Sequence, residues 1–348
     1  MEPPAPVPPG ADPRAPVTVL TGFLGSGKTT LLNHLLHAPH GLRLAVVENE
    51  FGAVDVDTRI LVQDTAEEIV ATDNGCLCCT VRGDLRRALL SLHQRRAAGE
   101  LAFDRLVIET TGLAQPAPVV QTLLADEAVS AAWQLDGVVT LVDAVHGSDQ
   151  LDRHLEAQEQ AGFADRLVLT KADLADPAAM DSLEARLHDL NPRALLRRAS
   201  HGQVDPDWVL QVGGFDPAAV LALHPGFPRY LRPAGHTPGV ESWVHQGESA
   251  FDRERLELLL ETLVEWYGAD LLRYKGVVAF EGEARRWIFQ GVHRQRSLVP
   301  STPWQPGEPR VSAMVFIGRK LPRELLEGAV PQCLAGALPA PPHDPSSA

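Results

Sequence analysis

Cysteine is scarce: the chain has four in 348 residues. That is too few for a disulfide framework, and three of the four crowd together at Cys76, Cys78 and Cys79. The chain also lacks a basic-then-apolar leader of the secretory kind. The two features point to a reducing, cytoplasmic setting in which the cysteines serve metal or redox chemistry. Positive charge is in short supply: 31 Lys and Arg face 45 Asp and Glu, a net charge of −14. No Lys/Arg cluster offsets that balance, so nucleic acid is excluded as an expected partner. No apolar run is long enough to span a bilayer, so no membrane partner is expected. His-rich tracts and internal repeats are absent as well. Residues 1–15 and 331–348, rich in Pro and Ala, are expected to be a disordered leader and tail.

What remains is ample for well-formed cores, with 45% hydrophobic residues, and the length predicts two domains rather than one. The most informative stretch runs from Val17 to Thr30. An apolar strand leads into Gly22-Phe23-Leu24-Gly25-Ser26-Gly27-Lys28-Thr29-Thr30, which has the spacing G-x-x-x-x-G-K-[ST] of a phosphate-binding P-loop. Gly22, Gly25 and Gly27 allow the backbone to approach phosphate closely, and the N–H groups of the loop, Ser26 and Thr30 included, then face its oxygens. Lys28 is expected at the β- and γ-phosphates and the Thr29 hydroxyl on Mg²⁺. Leu31, Leu32, Leu35 and Leu36 mark the apolar face of the following helix.

Further along, short apolar strands end in chemically distinctive loops. Leu44 to Val47 leads to Glu48-Asn49-Glu50-Phe51-Gly52. Leu106 to Ile108 leads to Glu109-Thr110-Thr111-Gly112, in which Glu109 suits a Walker B carboxylate on Mg²⁺ and Gly112 can give its N–H to the γ-phosphate. Lys28 and Glu109 are therefore the catalytic candidates. Residues 137–143 and 166–170 read as two more strands, with helices over 85–96, 150–161 and 177–189. Strands alternating with helices predict a doubly wound, mostly parallel sheet, an α/β domain over residues 16–200. The strand at 166–170 ends in Thr170-Lys171-Ala172-Asp173. A carboxylate at 173 can accept from guanine N1 and N2, which adenine cannot match. Thr170 stands where such a loop usually has Asn.

Gly and Pro become frequent over residues 201–238, which reads as a linker. Strands at 240–244, 271–280, 287–292 and 310–317, a helix at 251–267 and a closing helix from about 322 predict a smaller α+β domain over 239–330.

Cys76, Cys78 and Cys79 can converge on one soft or borderline cation. Cys78 and Cys79 are adjacent and would point to opposite faces of a regular strand, so a turn must reorient them or only two ligate. Glu48, Glu50 and His201 are candidate additional ligands. Small buried residues and a redox switch are the competing readings.

The ordered set of P-loop, Glu48 to Gly52, Gly75-Cys76-Leu77-Cys78-Cys79, Glu109 to Gly112 and Thr170 to Asp173 resembles the CobW-like family of P-loop GTPases, its bacterial YjiA-type branch in particular. Leu271 to Gly276 and Phe289 to Val292 resemble that family's C-terminal domain. The resemblance implies a GTPase that binds Zn²⁺ or another transition metal and delivers it to a client metalloprotein. It also implies that the three cysteines are the signature metal residues and that Asp173 is the guanine contact. Ala53 stands where near relatives can carry a further acid. No general base or arginine finger is evident, so slow intrinsic hydrolysis is expected, with a partner or a second copy completing the site. Two rival readings remain: a P-loop kinase acting on a small molecule, and a metal sensor with vestigial hydrolysis.

Overall fold

The computed structural model describes residues 14–49, 59–65, 68–73, 81–214 and 239–337. The chain divides into two units, Met1–Asp216 and Pro217–Ala348.

The first unit is built on an eight-stranded sheet. Its strands are β1 (Ala15–Gly22), β2 (Leu44–Asn49), β3 (Arg59–Thr65), β4 (Glu68–Asp73), β5 (Arg105–Thr110), β6 (Trp133–Asp143), β7 (Arg166–Thr170) and β8 (Leu195–Arg198), in the order β4-β3-β2-β5-β1-β6-β7-β8. From β2 to β8 all neighbours are parallel. The helices are α1 (Lys28–His37), α2 (Val81–Ala97), α3 (Ala117–Ala125), α4 (Glu127–Ala132), α5 (Gly147–Arg153), α6 (Leu155–Phe163), α7 (Pro177–Leu190) and α8 (Pro206–Leu210). Val17, Val19 and Leu20 of β1 are fully buried, as central strands of a parallel sheet require. On α1, Leu31, Leu32, Leu35 and Leu36 recur at helical spacing and join the core with Val46, Val107, Val139 and Val168 of the sheet. Asp126 caps α4 and Asp176 caps α7, each accepting from backbone N–H groups of the first turn.

The sheet departs from the sequence reading at its edges. β3 and β4 extend it with antiparallel pairs outside the strands that the sequence reading names, although Ile60-Leu61-Val62 and Ile69-Val70-Ala71 are short apolar runs. The single helix expected over 150–161 is two, α5 and α6, because His154 takes an extended conformation between them (φ −127°, ψ 114°). Residues 201–214 are not linker. Trp208, Val209, Leu210 and Val212 are buried in the core of the first unit. The Arg166 guanidinium donates to the carbonyls of Trp208, Gln211 and Val212, and Asp136 accepts from the N–H groups of Val212 and Gly213.

The second unit is an antiparallel five-stranded sheet, β9 (Val240–Gly247), β10 (Leu271–Val278), β11 (Arg285–Val292), β12 (Gln295–Pro303) and β13 (Ser312–Arg319), ordered β12-β11-β10-β13-β9. Helices α9 (Arg253–Tyr267) and α10 (Arg323–Gln332) bury Leu256, Leu260, Leu263, Leu326 and Val330 with Tyr274, Phe289 and Phe316 of the sheet. β12, unexpected from the sequence, is an edge strand with Pro300 and Pro303 and no buried position. The tail expected from residue 331 begins inside α10, and Cys333 is buried behind it. Residues 1–13, 215–238 and 338–348 lie outside the described residues. No helix among the described residues is long and apolar enough to cross a membrane.

Candidate functional site

Three loops meet at the C-terminal ends of β1, β5 and β7, the edge where parallel sheets of this type bind ligands. The first is the P-loop. Gly25 and Gly27 take φ of 74° and 90°. A Cβ on Gly22 would lie 2.5 Å from Leu141 O and 2.7 Å from Ser26 Oγ, so only glycine fits there. Lys28 is buried, and its Nζ donates to Gly22 O at 2.7 Å and Phe23 O at 3.3 Å. Burial pushes its pKa down, and the Glu109 carboxylate opposes that shift. The two candidate catalytic side chains are thus electrostatically coupled. Ser26 Oγ is buried without a hydrogen-bond partner in the wall of this loop, a position that fits a phosphate oxygen. Thr29 and Thr30 open the helix with exposed side chains.

The second loop follows β5. Glu109 sits in register with Leu20 of β1 on one side and with Glu48 of β2 on the other. The Thr110 hydroxyl donates to Thr21 Oγ1 at 2.7 Å, pinning the strand ends together just before the two loops. At Gly112 a Cβ would lie 2.6 Å from Leu24 Cδ2 and 2.7 Å from the Leu24 nitrogen, so this loop and the P-loop touch through a position that admits no side chain. A hydroxyl at Thr29 and a carboxylate at Glu109 are hard oxygen donors, the set that suits Mg²⁺.

The third loop follows β7. The Thr170 hydroxyl donates to Ser26 O at 2.7 Å and reaches Val142 O at 3.3 Å, so the residue that replaces Asn ties this loop to the P-loop. Lys171, at φ 57°, extends its ammonium to Asp143 Oδ2 at 2.6 Å. Burial pushes the Asp143 carboxyl up, but Lys171 and the N–H groups of Val145 and His146 outweigh it and hold the group below its ordinary value. Asp173 lies beyond this braced turn, with His201 Nε2 at 3.6 Å from its Oδ2.

The metal candidates separate. His201 keeps company with Asp173 beside β7, whereas Glu48 ends β2, four strands away in the sheet order. At about 4.8 Å per strand that is on the order of 19 Å, so one ion cannot take both as ligands. Glu50, Cys76, Cys78 and Cys79 lie outside the described residues, and among the described residues no group of three His, Cys, Asp or Glu side chains could hold a metal. The flanking backbone is nonetheless informative. In the sheet register Glu109 aligns with Glu48, Glu48 with Arg59, and Arg59 with Asp73, the last residue of β4. The chain therefore leaves β4, three residues before Cys76, on the same row of the sheet as Glu48 and Glu109.

Sequence reasoning missed two supports of this site. Asp143 is the last residue of β6 and reads as strand. Gln160 of α6 is 1% exposed and donates to the Gly112 and Ala114 carbonyls. The only sequence signal for Gln160 was a polar residue in a helix that would otherwise pack against the sheet.

Residues 16–197 match the family model described as the CobW/HypB/UreG nucleotide-binding domain, and residues 240–334 match the cobalamin synthesis protein cobW C-terminal domain. The zinc chaperone YjiA of Escherichia coli (strain K12) is 41% identical over 313 residues, covering 90% of this chain and 96% of that one. The zinc-regulated GTPase metalloprotein activator 1 of Dictyostelium discoideum is 31% identical over 304 residues, covering 76% of this chain and 62% of that one. The crystal structure of Zn(II)-bound YjiA GTPase from E. coli superposes with a TM-score of 0.75 at 36% identity, covering 92% of this chain and 99% of that one. With a family model spanning more than half its length, the chain belongs to the CobW/HypB/UreG family and carries the cobW C-terminal domain.

Proposed function

We propose that this protein is a cytoplasmic GTPase and zinc metallochaperone: it hydrolyses GTP to GDP and phosphate, binds Zn²⁺ as cargo at Cys76, Cys78 and Cys79, and passes it to a client metalloprotein. The observation that carries the reading is the hydroxyl tether from Thr170 to the P-loop carbonyl of Ser26, which sets the Asp173 loop at a fixed reach from the phosphate loop. One site then reads a guanine edge and a phosphate chain together. The names of the relatives, a zinc chaperone and a zinc-regulated GTPase metalloprotein activator, supply the cargo and the client. Four cysteines, too few for a disulfide framework and three of them clustered, are the ground for the cytoplasmic setting.

In this reading the N–H groups from Gly22 to Thr30 hold the α- and β-phosphates, and Ser26 Oγ accepts or donates within that cradle. Lys28 shifts its ammonium from the loop carbonyls toward the β- and γ-phosphates, and Gly112 offers its N–H to the γ-phosphate. Thr29 and Glu109 would hold Mg²⁺, which neutralises charge that develops on the transferred phosphoryl group. Asp173 pairs with guanine N1 and N2, and Lys171 holds the turn by its ion pair with Asp143. The cysteine segment leaves the sheet on the row of Glu48 and Glu109, so a γ-phosphate that reorders those loops acts on the metal site too. The test is competition: GTP turnover measured against ATP, and Zn²⁺ binding measured in wild type and in the triple Cys→Ser variant. GTP preference with thiolate-dependent Zn²⁺ binding is expected. Equal use of ATP, or Zn²⁺ binding that survives the triple variant, would overturn it.

A further inference from the structure

The loop that carries Gly112 is gripped from behind by a helix the family motifs do not touch. Gln160 of α6 is fully buried, and its Nε2 donates to Gly112 O at 3.1 Å and Ala114 O at 3.0 Å. The orientation of this amide is not arbitrary. Turning it over would set Oε1 against two carbonyl oxygens, while as placed Oε1 makes no hydrogen bond. One residue earlier, buried Glu159 accepts from Gln115 Nε2 at 2.5 Å, so residues 112–115 are held at both ends by consecutive residues of α6.

The gripping helix is itself anchored. Thr140 of β6 donates from Oγ1 to the Gln160 carbonyl at 2.8 Å, and Thr140 is the register partner of Thr21, the residue before the P-loop. Asn191 donates from Nδ2 to Ala161 O, Gly162 O and Ala164 O, at 2.9, 3.2 and 2.9 Å, fixing the C-terminal end of α6. On the other side of the loop, Gly112 presses against Leu24 of the P-loop with no room for a Cβ. The residues 112–115 are thus clamped between the P-loop and a rigid amide.

We propose that Gln160 is a positioning residue for γ-phosphate recognition: its buried amide holds the Gly112 and Ala114 carbonyls and so fixes the loop that meets the γ-phosphate, while the rest of the nucleotide is held without it. This rests on the nucleotide reading of the P-loop and Gly112. The role has a signature that packing alone does not have. Loss of the amide weakens a nucleoside triphosphate relative to the diphosphate, because only the triphosphate reaches Gly112.

The variant Gln160→Met keeps side-chain length and removes both donors. It is compared with wild type for affinity toward a non-hydrolysable GTP analogue and toward GDP, for kcat, and for thermal midpoint. Two buried hydrogen bonds set the scale: the analogue-to-GDP affinity ratio is expected to fall about tenfold, kcat to fall with it, and GDP affinity to stay within about twofold. A folded variant with an unchanged ratio overturns the proposal, as does an equal loss of analogue and GDP affinity. Gln160→Asn keeps an amide but shortens its reach by one methylene, and decides the matter if Gln160→Met does not fold. A drop of about threefold in the same ratio is expected from it, and no change contradicts the clamp. Wild type is also titrated with the ATP analogue and ADP. Equal affinity for the adenine and guanine analogues would sink the guanine reading, yet the triphosphate-to-diphosphate ratio would still test Gln160.

Discussion

Lys28 shows how one side chain carries a consequence for both structure and chemistry. Its ammonium is buried against two carbonyls of its own loop and faces Glu109 across it. In the proposed nucleotide site Lys28→Ala removes the charge for the β- and γ-phosphates and no core packing, so GTP turnover is expected to fall about 10²–10³-fold. The fold should remain, at a cost of about 1–2 kcal/mol for the lost loop hydrogen bonds. Near-normal turnover in folded Lys28→Ala would refute the phosphate assignment. Asp173 makes a different demand. Asp173→Asn alters the donor and acceptor pattern at the guanine edge, so GTP binding should weaken and xanthosine triphosphate binding should improve; competition between the two nucleotides measures it. The variant chain's preference for GTP, unchanged, would remove Asp173 from the base site. At this scale the sequence was legible where a motif dictates backbone conformation, as with Gly22, Gly25 and Gly27. Thr170 stands where Asn is usual, yet its hydroxyl reaches Ser26 O, an interaction that depends on where β7 ends relative to β1 and has no sequence signature. Gln160 was invisible for the same reason: its partners lie 46 and 48 residues away along the chain.

Among the elements, those with apolar runs or a helical stripe were legible: β1, β2, β5, β6, β7, β9, β10, β11, β13, α1, α2, α7, α9 and α10. Those that were not owe their existence to neighbours. β3, β4 and β12 are held by antiparallel partners toward the sheet ends, outside the strand–helix alternation that announces the parallel strands. Helix α8 has five residues amid glycine and proline. Buried Arg166 of β7 donates to the Trp208 carbonyl and Arg105 of β5 to the Leu210 carbonyl, and Trp208 stacks beneath both Arg166 and Arg197, at 5.1 and 5.2 Å from the ring centre. Composition reads this segment as linker because composition does not see those anchors. The anchoring has a measurable weight. Arg166→Leu removes a charged donor from three carbonyls that stay buried, and is expected to destabilise the first unit by about 2–4 kcal/mol in denaturant unfolding. An unchanged midpoint would mean that residues 206–214 dock through Trp208 and Leu210 alone.

For the whole molecule, the central claim is that nucleotide and metal are linked. The geometry supports it through one row of the first sheet, on which Glu109 of β5, Glu48 of β2 and the end of β4 are in register while the P-loop and Gly112 press together beside it. A change at the γ-phosphate then bears on the strand ends from which the cysteine segment departs. Linkage requires reciprocity: whatever factor GTP applies to zinc affinity, zinc applies to GTP affinity, typically about 5- to 150-fold in coupled systems. Thiolate ligands must lose protons to bind, so zinc affinity should also decline as pH falls. The direct measurement is a pair of zinc titrations of the full chain, one with a non-hydrolysable GTP analogue bound and one with GDP bound. The account predicts zinc affinities that differ between the two states by about fivefold or more, with the same factor recovered when nucleotide is titrated with and without zinc. Equal zinc affinity in both nucleotide states would leave two independent sites in one protein and contradict a GTP-driven zinc chaperone.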